Sequence, residues 1–201
     1  MTTPFTAETA VAGDAQWPTI LTWRAYDEPR MESARVQIAG NRVRAAGRIV
    51  AAQSPLHPAF SASYDLATDD KGIIDRVTLR TTRKSGVKHT SLTRDEEGFW
   101  TVITGNSQVR SNFGGAIDLD LGLSPFFSTL TLRRLRSQGV GGEIEVPMLM
   151  VNLIDLSLYE AIHVYRIDGD SIQIQTATST ATLTLDDDGI VTDYPGLAEL
   201  V

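Results

Sequence analysis

The chain has 201 residues, no cysteine, a net charge of −7 and an isoelectric point near 4.9. The missing cysteines exclude a disulfide scaffold, thiol catalysis and cysteine-ligated zinc, and the acidic balance argues against nucleic acid as the partner. A content of 42% hydrophobic and 21% charged residues is ordinary for a globular protein, and the length suits one large β domain spanning residues 1–201.

Residues 1–16 have neither a basic start nor an apolar run, so they read as a loosely ordered segment rather than a secretory signal. Pro4–Ala15 has room for one frayed helical turn. No apolar stretch approaches the ~20 residues of a membrane span, and a cytoplasmic location is expected. In Arg42–Ile49 the residues Val43, Ala45, Gly47 and Ile49 share one face, while Arg42, Arg44, Ala46 and Arg48 share the other. Side chains two apart along a strand lie on the same side, so this stretch is apolar inward and basic outward. Val77–Arg80 repeats the alternation.

Asp-Gly-rich turns at Gly40, Gly72, Gly98, Gly169 and Gly189 separate these runs, as tight hairpins require. Asp118-Leu119-Asp120 places two carboxylates on one face of an extended segment. No long amphipathic helix is predicted anywhere in the chain. Gly139-Val140-Gly141-Gly142 reads as a flexible loop. Met148-Leu149-Met150-Val151 is apolar on both faces, so this strand is either covered on both sides or faces an apolar cavity. Inward positions are even at Ile172 and Ile174 but odd at Ala181 and Leu183, which predicts a turn or bulge within Thr176–Thr180. Pro195–Val201 is expected to end in a helical turn.

The chemistry-bearing patterns are sparse. There is no phosphate-cradling glycine motif and no nucleophile elbow. His57, His89 and His163 are too scattered for a three-histidine zinc site. Glu160 and His163 have the spacing of a metal pair on a helix, but in a strand they point to opposite faces. The acidic turn Asp186-Asp187-Asp188-Gly189 lacks the ligand order of a calcium loop. No metal and no cofactor is expected. Asp118 and Asp120 either form an acid–base pair or make ion pairs with Arg133 and Arg134, and the second, structural arrangement is favoured.

Three blocks carry a family resemblance: the Trp23-Arg24 strand, Asp118-Leu119-Asp120-Leu121 through Ser124-Pro125-Phe126-Phe127 to Arg133-Arg134-Leu135, and the terminal Asp193-Tyr194-Pro195. Together they resemble, in order over about residues 19–198, a bacterial family called putative glycolipid-binding proteins. Ser128 and Thr131 stand where that family has Asn and Pro. The resemblance implies a mostly β fold, a single curved antiparallel sheet forming a β-roll or partly open barrel, like the lipoprotein carriers. It further implies a glycolipid or other amphipathic ligand in an apolar cavity. Met148 and Met150 are then the candidate wall, Trp23, Trp100 and Tyr194 the candidate aromatic platform, and Arg24, Arg133 and Arg134 the candidate head-group ligands, with Asp118 and Asp120 beside them. A hydrolase or transferase working through Asp118 and Asp120 is one alternative. A non-enzymatic interaction domain, dimerising by its sheet edges, is the other.

Overall fold

The computed structural model describes residues 19–201. A single 15-stranded sheet holds nearly everything. Its strands are β1 Thr19–Ala25, β2 Arg30–Ala39, β3 Arg42–Ala51, β4 Phe60–Thr68, β5 Ile74–Arg83, β6 Gly86–Arg94, β7 Trp100–Thr104, β8 Ser107–Ser111, β9 Asp118–Leu121, β10 Gly142–Val151, β11 Leu158–Asp168, β12 Ser171–Gln175, β13 Thr180–Leu185, β14 Val191–Tyr194 and β15 Ala198–Leu200. Spatial order runs β8 back to β1, then β15 back to β9. Sequence neighbours from β1 to β8 and from β10 to β15 therefore pair antiparallel, and the two halves join where Trp23 of β1 faces Leu200 of β15.

The alternation in the sequence sets which face is buried. Val43, Ala45, Ile49 and Ala51 of β3 point into the core while the arginines between them are exposed. Gly40, Gly72, Gly98, Gly169 and Gly189 all take positive φ at the hairpin turns, a conformation that glycine adopts without steric cost. The parity change after Ile174 is absorbed by a tight turn, closed by Thr176 N–H donating to the Ser179 carbonyl. The C-terminal segment ends in β15 rather than a helical turn, because Ala198–Leu200 finds an unpaired edge on β1 and on β14.

The sheet curls without closing, and its two end strands, β8 and β9, do not pair. One apolar cluster joins Val77, Leu79 and Leu92 of β5–β6 with Leu119 and Leu121 of β9 and Leu149 and Val151 of β10. Trp100 of β7 donates its indole N–H to the carbonyl of Ala116, just before β9. The β9–β10 end is thus tucked inside the curl, which is why Met148–Val151 is apolar on both faces. Leu149 and Val151 meet the first cluster, and Met148 and Met150 meet a second one.

A 13-residue helix, α1 (Pro125–Ser137), corrects the expectation that no long helix exists. It connects β9 to β10, the parallel pair in the sheet, and parallel neighbours need a long crossover. Pro125 occupies the first helical position, where its missing N–H costs nothing. At the other end Gly139 N–H bonds to Arg136 O and Val140 N–H to Leu135 O, the paired bonds of a glycine-capped helix end, and Val140 and Leu135 join the same apolar cluster. The helix is buried nearly all round, Thr and Ser included, so it carries no polar stripe for a periodicity argument to find. It fills the concave side of the roll.

Candidate functional site

At the N-terminal end of α1 the loops of the roll surround a cleft of about 260 Å³. Leu123, Val151, Leu153 and Ile154 form its apolar wall, Leu56 and Tyr159 its outer lip, and Glu28, His57 and Asn152 its polar part. Leu56 is 84% exposed and Tyr159 52% exposed, so both apolar bodies face water at the opening. The polar part is held firmly. His57 Nε2 lies 3.1 Å from Glu28 Oε2, and its Nδ1 lies 2.9 Å from the Pro58 carbonyl. Both partners are acceptors, so both bonds form together only on the doubly protonated ring. Ser54 donates to the other Glu28 oxygen at 3.1 Å. Burial works to raise the Glu28 carboxyl, but the bonds from His57 and Ser54 and the nearby Arg30 outweigh it and leave the group below its ordinary value. Arg30, itself buried, donates to the carbonyls of Leu123 and Leu197 and so ties the cleft floor to the turn before β15.

Behind the cleft lies a buried polar group of side chains. Glu32 accepts 2.7 Å hydrogen bonds from both Tyr64 and Ser124 on one carboxyl oxygen, while its other oxygen has no partner. Burial pushes this carboxyl up to about 7, against those two bonds and Arg30. Asp120 is also pushed up to about 7 by burial, partly offset by a bond from the Leu121 backbone, with Asp118 raising it further. His163 Nδ1 sits 3.8 Å from Asp120 and makes no hydrogen bond. Burial lowers His163 to about 4, so the ring is neutral at pH 7 and the contact is not an ion pair there.

The residues singled out from the sequence are dispersed. Asp118 and Asp120 do share a face, with Met148, Met150 and His163 on the same side through the β9–β10–β11 register. Asp118 is committed to Arg134, which clamps both of its oxygens at 3.0 and 2.5 Å in a buried fork. Arg133 points the opposite way and donates to the carbonyls of Gly40 and Asp188, pinning two hairpin turns to the helix. Met148 and Met150 pack in the cluster of Leu132 and Leu135 of α1, so this wall faces a helix rather than an open cavity. Trp23 is fully buried, its N–H bonded to Val191 O at 2.7 Å and its ring 5.9 Å from Phe126, and it presents no face to a sugar. Trp100 is buried too, and Tyr194 nearly so. Arg24 lies on the outside, paired with Glu199. None of these residues lines the cleft. Among the described residues no cluster of three or more potential metal ligands exists.

Glu32 and His57 were missed as site residues. The signal for Glu32 was present: Arg30, Glu32, Ala34 and Val36 share parity, which places two charged groups on an otherwise apolar face of β2. His57 and Leu56 lie in an irregular loop, where no periodicity reports direction.

The comparisons with known proteins agree with this architecture. The structure is similar to the crystal structure of a DUF1089 family protein from Pseudomonas aeruginosa, with 22% identity, a TM-score of 0.68, and coverage of 84% of this chain and 91% of that one. At that identity the likeness speaks to the fold. A search of curated proteins gives no match. No helix among the described residues is long and apolar enough to cross a membrane. The family model described as "Putative glycolipid-binding" matches residues 20–199, nearly the whole described chain, and the protein belongs to that family.

Proposed function

We propose that the protein binds an amphipathic, glycolipid-like ligand at the cleft between Leu56, Leu123, Ile154 and Tyr159. The observation that carries this reading is the cleft's division into an apolar wall and a rigid polar corner at Glu28 and His57. Sugar hydroxyls both donate and accept, so a fixed carboxylate and the Asn152 amide suit them. The cleft lies just below the ~300–1,000 Å³ range of sites that enclose a whole small ligand. It therefore seats one portion, a sugar or the first part of an alkyl chain, at about 0.8 kcal/mol for each methylene buried. With Asp118 held by Arg134, an acid–base role for the two carboxylates lacks its second member, which favours binding over hydrolysis.

The test is native mass spectrometry of freshly purified protein, followed by organic extraction and lipid analysis, on the wild type and on Leu56→Asp. A stoichiometric amphiphile on the wild type, lost from the variant, supports the proposal. Unliganded wild type that also fails to bind a fluorescent fatty-acid probe overturns it.

A further inference from the structure

The outer face of β2–β6 has a charge opposite to that of the molecule. Its outward, strand-paired positions carry Arg35, Arg42, Arg44, Arg48, Arg76 and Arg80. Among the described residues the one carboxylate at an outward paired position there is Asp65, 4.0 Å from Arg76. Asp75 is exposed nearby at the bulge where the β4–β5 register shifts. Arg35, Arg44, Arg48 and Arg80 have no carboxylate within ion-pair distance among the described residues. The whole chain is nevertheless −7. Six of the chain's 18 lysines and arginines stand on this one sheet surface, against a single carboxylate at an outward paired position.

The register arranges this face in rows. One row reads Ser33, Arg48, Ser63, Arg80 and His89 across five strands. The row beside it, toward the 52–59 loop, reads Met31, Val50, Ser61, Thr82 and Val87. Met31, Val50 and Val87 are each about half exposed, at 48%, 54% and 53%. On the other side, Arg35, Arg44 and Arg76, with one carboxylate, Asp65, among them, ring a shallow depression of about 280 Å³ floored by Ala46. Ala46, Ser61, Ser63 and Ala67 are the small residues on this face between the arginines. A broad surface with basic rows and an adjacent row that holds three half-exposed apolar side chains, Met31, Val50 and Val87, matches a sheet of anionic head groups with acyl chains beneath it.

We propose that the outer face of β2–β6 docks the protein onto an anionic lipid bilayer, with Arg48, Arg80 and the Arg35–Arg44–Arg76 depression meeting phosphates and the Met31–Val50–Val87 row entering the interface. This inference stands on the outer face of the sheet and is independent of what the cleft binds. Nucleic acid is disfavoured because the apolar row has no counterpart on a phosphate backbone, and the test includes it.

The experiment is sedimentation of the full chain with vesicles of phosphatidylcholine alone and of phosphatidylcholine mixed equally with phosphatidylglycerol, at low and high salt. Wild type is expected to partition onto the anionic vesicles only, and to be released by salt. Each arginine near such a surface is worth about fivefold in partition, so Arg48→Gln with Arg80→Gln lowers it about 25-fold. Val50→Ser weakens binding without changing its salt dependence. Arg166→Gln, on β11, leaves it unchanged. Both Arg48 and Arg80 are exposed, and circular dichroism checks the fold of the variants. Failure of the wild type to bind anionic vesicles overturns the proposal, whatever the variants do. So does unchanged binding of the folded double variant, or binding to duplex DNA as tight as to the vesicles. A ligand-free protein that still docks separates this proposal from the one made for the cleft.

Discussion

Tyr64 reaches Glu32 only because residue 47 is glycine. The two strands pair Gly47 with Tyr64, and the phenol lies across the glycine so closely that an added Cβ would fall 2.1 Å from the Tyr64 ring. Gly47→Ala must therefore move the ring away from Glu32 and out of its contacts with Phe126 and Phe127. The expected cost is about 1–3 kcal/mol or more, read as a lower urea midpoint. The buried acids make stability depend on pH in a definable direction. Glu32 and Asp120 have folded values of about 7, above their ordinary ones, so the folded state holds protons that the unfolded state releases. Their contribution is fully present below the unfolded values and is lost as pH rises to about 7. His163, lowered to about 4, works the other way: it penalises the folded state below its ordinary value, and the penalty fades as pH rises. Two carboxyls outweigh one imidazole, so stability is expected to fall from about pH 4.5 to about 7, most steeply above about 6.5, where the imidazole no longer opposes them. Asp120→Asn removes part of that fall, and urea titrations at several pH values measure it. The parity of β2 gave these inward charges away, since Arg30 and Glu32 sit in step with Ala34 and Val36. Their partners lie in distant strands and at the start of α1, and no local pattern reports them.

At the scale of elements, α1 is both the feature least visible in the sequence and the one that organises the interior. Its run Phe126–Leu135 is rich in aromatic and β-branched residues and has no polar face, so hydrophobic periodicity is silent. The end signals were legible: Ser124-Pro125 at the start and Gly139 after the last turn. Tertiary burial, rather than intrinsic propensity, makes this segment helical. The Asp118–Arg134 fork then fixes the helix to β9, at the start of the same crossover. Asp118→Ala leaves a buried guanidinium without its counter-charge, for an expected loss of about 3–5 kcal/mol. Replacing both partners with apolar residues should cost much less, because the desolvation penalty disappears along with the attraction. A double-mutant cycle by chemical denaturation checks both statements. The family resemblance of the DLD…RRL block marks the fold. Of the expected ion pairs only Asp118–Arg134 forms, clasping helix to sheet, while Arg133 ties the helix to two turns and Asp120 meets no arginine.

At the scale of the molecule, the strands and their hairpins were legible because an antiparallel sheet with one wet face writes its alternation into the sequence. The inward curl came only with the family resemblance, because it depends on contacts between residues far apart, such as Val77 and Leu79 with Leu149 and Val151. That curl, together with α1, decides what a ligand can do. For the amphiphile proposed above, a roll already filled by its own helix leaves two options: seat the ligand at the mouth, or move the helix and expose Met148, Met150, Leu132 and Leu135 to it. The second costs the apolar packing of a 13-residue helix and the Asp118–Arg134 fork, and a lipid chain would have to replace all of it. The first needs only the loops at Leu56 and Asn152–Ile154 to adjust. Hydrogen exchange with and without bound amphiphile separates the two. For ligand at the mouth, the amides of α1 keep their protection and new protection appears in residues 52–59 and 152–157. Loss of protection along α1 on binding would instead show that the helix leaves the roll, and the cleft would then be its gate rather than its site.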